Sequence, residues 1–305
     1  MPLRAVVCAV SMLLSLPAAA GATAFEHLQP VTAGGATLDL GIWTPGGTGL
    51  PLVLIVSDDG VPVDGHADTA RALADAGFVV AAVGSDANDV RHAGEVSRLL
   101  DRSVRVEGAL DFMLGTWSGH ARLDPASVGM FGYAAGGFAA LVVAGGEPDL
   151  TLIPEHCNAH PTELACRRIA AGSEGTGGAP VVALRRPSDT RVHALAIAEP
   201  ALGFTFAGGG LRDVGMPVQL WRAGSDAVFP EPFYVEPVYD ALPKPALYTV
   251  IPDAGHDDFL APCPASAPAP LPETCASPAG FDRAAFHVRF NAALVAFFAK
   301  ALQVK

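Results

Sequence analysis

Three unbroken apolar runs limit what this chain can fold into. Pro51-Leu52-Val53-Leu54-Ile55-Val56-Ser57 ends at Asp58-Asp59-Gly60, Phe78 to Val83 is the second run, and Val128-Gly129-Met130-Phe131 is the third. A strand with one face in water alternates apolar and polar residues, whereas a strand covered on both faces does not. Between the first two runs, Gly65 to Ala76 carries Ala67, Ala70, Leu73 and Ala74 at helical spacing, and Gly77 stands where a C-cap glycine would. A long amphipathic helix is expected from Glu95 to Leu114, with Glu95 suited to the positive end of the helix dipole. An alternating strand is expected at Leu38 to Trp43, further strands at Val192–Ala198, Pro217–Trp221 and Ala246–Ile251, and a closing helix from Asp282 to Leu302. Strand–helix units in series imply an α/β fold with a mostly parallel sheet and helices on both faces. Glu147 to Pro187 and the Pro/Ala/Ser-biased Pro262 to Pro278 read as insertions over the sheet edge.

Composition narrows the function classes. Half of the 305 residues are hydrophobic and 16% are charged, which excludes a disordered chain and allows a full core without metal or disulfide staples. With 31 acids against 19 bases, no basic patch for a nucleic-acid backbone is expected, and anionic lipid would be repelled.

The first 24 residues read as a secretory signal peptide: Arg4, an apolar run from Ala5 to Leu16, then Pro17 to Ala24 rich in small residues, with cleavage after Ala22 or Ala24. The apolar run is shorter than the ~20 residues of a membrane span, so the mature chain should hold no integral membrane segment. An exported protein, periplasmic or secreted, is expected, with one domain over 25–305. Removing Arg4 takes the net charge from −12 to −13. Removing Cys8 leaves Cys157, Cys166, Cys263 and Cys275, and three pairings are open. The local pairs Cys157–Cys166 and Cys263–Cys275 are preferred here, each stapling a loop. A metal site using His156, Cys157 and His160 is the competing use of these residues, and none is expected.

After Phe131 comes Gly132-Tyr133-Ala134-Ala135-Gly136-Gly137, a sharp turn between an apolar strand and a helix of small residues. Gly-x-nucleophile-x-Gly in that setting is a nucleophile elbow, whose glycines allow close backbone approach. Gly224-Ser225-Asp226 and Ala254-Gly255-His256 follow later strands, giving the order nucleophile, acid, base. With Gly65 to Ala70, Glu147-Pro148-Asp149-Leu150 and Phe259 to Cys263, these segments resemble the α/β-hydrolase superfamily. The resemblance runs from about Phe25 to the end. It is to the exported dienelactone hydrolase-like group related to platelet-activating-factor acetylhydrolases. It implies an α/β-hydrolase fold with a disulfide-stapled insertion after the elbow helix, no cofactor, and Asp226 and His256 as triad acid and base. It also implies an oxyanion hole from the backbone N–H groups of Ala135 and of Asp59 or its neighbour.

The chain departs from that group where the chemistry happens. Ala134 stands where the group has Ser, and a methyl cannot attack a carbonyl. Ser57-Asp58-Asp59-Gly60 replaces a usual Ser-His-Gly, and Gly84 to Asp89, with Asp86, replaces a His-Pro-Gly loop. A carboxylate ~5 Å from a developing oxyanion opposes it by roughly 3 kcal/mol at an effective dielectric of ~20. Asp257 and Asp258 are expected to raise the His256 pKa further. Three altered loops point to natural loss of hydrolysis and to a pocket that binds a small ester-like or apolar ligand, or a protein partner of unknown kind. Two alternatives stand beside this. The chain is an active carboxylic-ester hydrolase if Ala134 is an engineered replacement of Ser, or if Ser57 or Ser225 serves instead. Or the Asp226–His256 dyad performs base chemistry with no covalent step. His120 and His193 carry no motif and read as surface or packing residues.

Overall fold

The computed structural model describes residues 23–84, 95–173, 187–266, 270 and 272–304. The expected leader lies outside these, apart from Thr23 and Ala24, and so does Asp86.

Eight strands form one sheet: β1 Ala24–Leu28, β2 Leu40–Thr44, β3 Leu50–Val56, β4 Val79–Val83, β5 Leu123–Tyr133, β6 Val192–Ala198, β7 Val218–Ala223 and β8 Leu247–Ile251. Their order is β1-β2-β4-β3-β5-β6-β7-β8, with β1 and β2 antiparallel to their neighbours and the other six parallel. Every residue of β2, β3 and β4 is buried, the result of covering both faces. The helices are α1 Ala67–Asp75, α2 Glu95–Asp111, α3 Ala135–Val143, α4 Ile153–Ala159, α5 Leu164–Ser173, α6 Val235–Ala241 and α7 Arg283–Ala301. α1 packs on α7, and α2 packs on α3. The β3–α1–β4 crossover runs opposite to β4–α2–β5, so right-handed connections put α1 and α2 on opposite faces.

The expected strands and helices are present, with shifted ends. β5 is longer than its apolar run because Asp124 to Ser127 extend it in a partly exposed stretch. The helix expected to reach Leu114 leaves α-geometry at Phe112, and a π-helical turn carries the chain to Thr116. β1, α4, α5 and α6 were not foreseen, because five to ten polar or mixed residues give too little periodicity to read. The insertion after α3 contains α4 and α5, and the Cys157–Cys166 disulfide joins them; Cys263–Cys275 closes the second insertion. The local pairing is therefore the one present. Among the described residues no helix is long and apolar enough to cross a membrane.

Chain order in the sheet reverses at β3: β4 lies on one side and β5 on the other. The carboxyl ends of β3 and β5 meet there, Val56 beside Gly132. Such a switch point opens a crevice at the strand ends where α/β sheets place ligands.

Candidate functional site

The turn from β5 into α3 is held by close approach. A Cβ on Gly136 would lie 1.9 Å from the Val56 carbonyl oxygen, and one on Gly132 would lie 2.7 Å from the Gly136 oxygen. Between them Ala134 has φ 52° and ψ −117°, a backbone that costs a non-glycine residue ~1–3 kcal/mol. Its amide donates to the Ala198 oxygen at 3.0 Å, and its carbonyl accepts from Ala201 at 3.0 Å. The strained geometry that lifts a nucleophile out of a strand end is present, and a buried methyl occupies it.

The first amide of α3, that of Ala135, donates to Asp58 Oδ1 at 3.3 Å. The N–H that the resemblance assigns to the oxyanion thus already has a carboxylate acceptor. Asp59 turns the other way: it pairs with Arg102 and lies 3.6 Å from Arg98. Arg102 also donates to the Ser57 carbonyl at 2.8 Å. Burial pulls the Arg102 pKa down to about 10, though the Asp58 charge opposes this. Of the two acids after β3, Asp58 faces the elbow and Asp59 is neutralised away from it.

The loops after β7 and β8 bring Asp226 and His256 together. Asp226 Oδ2 accepts from His256 Nδ1 at 2.6 Å, and Oδ1 accepts the amides of Val228 at 2.7 Å and Phe229 at 2.8 Å. Burial favours neutral Asp226, but the His256 hydrogen bond and charge outweigh it and hold the carboxyl below its ordinary range. Burial likewise opposes charge on His256, and is outweighed by the Asp226 hydrogen bond and charge, with Asp58 and Asp257 adding to them. The imidazole pKa is raised as a result. Tyr133 OH lies 3.1 Å from the His256 carbonyl and 3.3 Å from Asp257 Oδ1, and Phe229 packs edge-on against the ring. His256 Nε2 is buried with no hydrogen-bond partner among the described residues. Asp258 differs from expectation: it accepts from Gly255 N at 2.7 Å, from Ser277, and from Arg283 at 2.8 Å. Those donors hold it away from the imidazole, so only Asp257 of the two acts on His256.

Neither alternative serine pairs with His256. Ser57 Oγ lies 3.0 Å from His66 Nε2, and both residues are buried. Burial brings the His66 pKa to about 4, so its ring is neutral at neutral pH. Ser225 donates to the Pro252 carbonyl at 3.3 Å. His120 Nδ1 sits on the Trp117 carbonyl at 2.7 Å.

The cluster weighed as a metal site is otherwise engaged. His156 Nε2 lies 2.9 Å from Glu163, which also accepts from Tyr234 OH at 2.6 Å, and His156 stacks on Phe204. Cys157 and Cys166 are bonded to each other and offer no thiolate.

Glu199 was not foreseen. It follows the last residue of β6 with φ 46°, is fully buried, and its carboxyl accepts the Ala223 amide. The only sequence signal is an acid at the carboxyl end of an apolar strand, before Pro200.

No protein-family model matches this chain, and no curated protein matches it.

Proposed function

We propose that this chain is an exported α/β-hydrolase homologue that no longer performs acyl transfer, and that it binds a small ester-like or apolar ligand at the elbow. The observation that carries this reading is the Asp58 carboxylate on the Ala135 amide, beside a methyl in the nucleophile position. Both chemical needs of acyl transfer are affected, the attacking group and the stabilised oxyanion. The strand order, the elbow backbone and the Asp226–His256 pair support the superfamily assignment. The two disulfides support export. At the proposed ligand site, His256 Nε2 is a buried nitrogen without a hydrogen-bond partner among the described residues, and Phe229 and Tyr133 pack against its ring.

A second reading rests on that same unpartnered nitrogen. The dyad is intact, so it can exchange a proton with a bound molecule without a covalent step. As a base His256 would act through its neutral form, of which its raised pKa leaves less.

The test is turnover of short-chain p-nitrophenyl esters by the native chain and by His256→Ala. Equal background rates are expected. Hydrolysis that depends on His256 sinks the proposal. The second reading fails if no candidate ligand perturbs the His256 resonances in NMR.

A further inference from the structure

Glu199 and Asp226 pose a charge problem. Glu199 is wholly buried, and no N–H or O–H of the described residues donates to its Oε2. Its neighbour is a second acid: ligand-capable atoms of Glu199, Asp226 and His256 all lie within 4.8 Å of one another. Asp226 already accepts from two backbone amides and from His256. Two buried carboxylates this close cannot both be ionised without a cation or a proton between them.

The geometry favours a proton over a metal ion. Asp226 Oδ2 and His256 Nδ1 are 2.6 Å apart, a direct hydrogen bond, while neighbouring ligands of one divalent ion lie farther from each other. Glu199 has no exposed surface, so water could not complete a coordination shell on its side. Asp226 already accepts from three donors and keeps one of its about four lone-pair sites open, whereas Glu199 Oε2 has no donor among the described residues, so the proton belongs to Glu199.

We propose that Glu199 stays protonated at neutral pH and donates to Asp226, so that His256, Asp226 and Glu199 form a hydrogen-bonded chain of three. Glu199 is then a positioning residue for the dyad, one that fixes Asp226 and moderates its charge. Burial first, and then the Asp226 charge, holds the Glu199 carboxyl well above the usual carboxylate range, against the pull of the Ala223 amide. Its strained backbone fits a side chain held in place by its surroundings. The charges that bear on this chain are few. Asp226 from the loop after β7 and Glu231 act on Glu199. Asp226, Asp58 from the end of β3, and Asp257 from its own turn act on His256.

The test is the His256 titration followed by NMR in the native chain, Glu199→Gln and Glu199→Ala. The glutamine keeps both an acceptor for Ala223 and a donor for Asp226, so its His256 pKa should stay within ~0.3 of native. The alanine removes the donor, concentrates charge on Asp226, and should raise the His256 pKa. If Glu199 is ionised, Glu199→Gln deletes a buried negative charge and lowers the His256 pKa by about one or more. That result overturns the proposal. Two measurements on the native protein do not depend on the variants folding. A protonated-carboxyl infrared band should persist at neutral pH, and its absence overturns the proposal. Chelator should leave the His256 resonances unmoved, and a chelator-induced shift overturns the proposal in favour of a cation.

Discussion

Asp58 and Asp59 are adjacent and have opposite fates. Asp59 neutralises the buried Arg102, with Arg98 also near, whereas Asp58 sits on the Ala135 amide. Asp59→Asn should therefore lower unfolding stability by ~2 kcal/mol, less than for a wholly buried pair because Asp59 is partly exposed. Asp58→Asn should cost less, because Asp58 supports Arg102 through its charge while Asp59 makes the direct ion pair. Urea melts of both variants check this, and a larger loss for Asp58→Asn contradicts the assignment. The histidines differ in the same way. His256 is raised from 6.5, so its contribution is present below that value and lost as pH rises through the folded pKa. Asp226 is lowered from 3.8, so its contribution is present above that value and lost as pH falls through the folded pKa. The dyad therefore stabilises most between about pH 4 and 6.5. His66 has the opposite sign. Its folded pKa of about 4 lies below the ordinary 6.5, so the unfolded chain binds the proton first and stability falls through that window as pH drops. The gap is worth on the order of 3 kcal/mol. His66→Gln cannot protonate and should flatten the acid limb of a pH–stability curve. An unchanged limb contradicts the buried neutral state of His66.

At the scale of elements, the sequence was most legible where burial is complete. β3 and β4 read directly because every side chain in them is apolar and inside. The elbow read equally well, since Gly132 and Gly136 answer to contacts a Cβ would break. The insertion did not, because α4 and α5 are short and partly polar. Their connection depends on Cys157–Cys166, which spans nine positions. A loop of that size is worth ~2–3 kcal/mol in the chain-entropy account. Cys157→Ser with Cys166→Ser should lower stability by up to that amount and leave the sheet intact. Thermal melts followed by far-UV circular dichroism check both parts, and early loss of the sheet signal would show that the insertion supports the core.

At the scale of the whole molecule, the sheet brings five separate strand ends to one edge. Asp58 follows β3, Ala134 follows β5, Glu199 follows β6, Asp226 follows β7, and His256 follows β8. The resemblance to the α/β-hydrolases implies the Asp226–His256 meeting, because nucleophile, acid and base positions there follow strands in a fixed succession, and the two side chains do meet. It left open which of Asp58 and Asp59 faces the elbow, since neighbours on a loop have no periodicity. It also gave no sign that Glu199 lies against Asp226, because that contact joins the ends of two strands and depends on their register. Removal of acyl transfer by Asp58 and Ala134 together is what we propose. It is tested most directly by measuring short-chain p-nitrophenyl ester hydrolysis by the native chain, Ala134→Ser, and Ala134→Ser with Asp58→Gly, side by side. No turnover is predicted from the native chain, and the double variant is predicted to exceed Ala134→Ser by about two orders of magnitude, the rate equivalent of the roughly 3 kcal/mol that a nearby carboxylate opposes to an oxyanion. Full activity from Ala134→Ser alone would contradict the account, and so would His256-dependent turnover by the native chain.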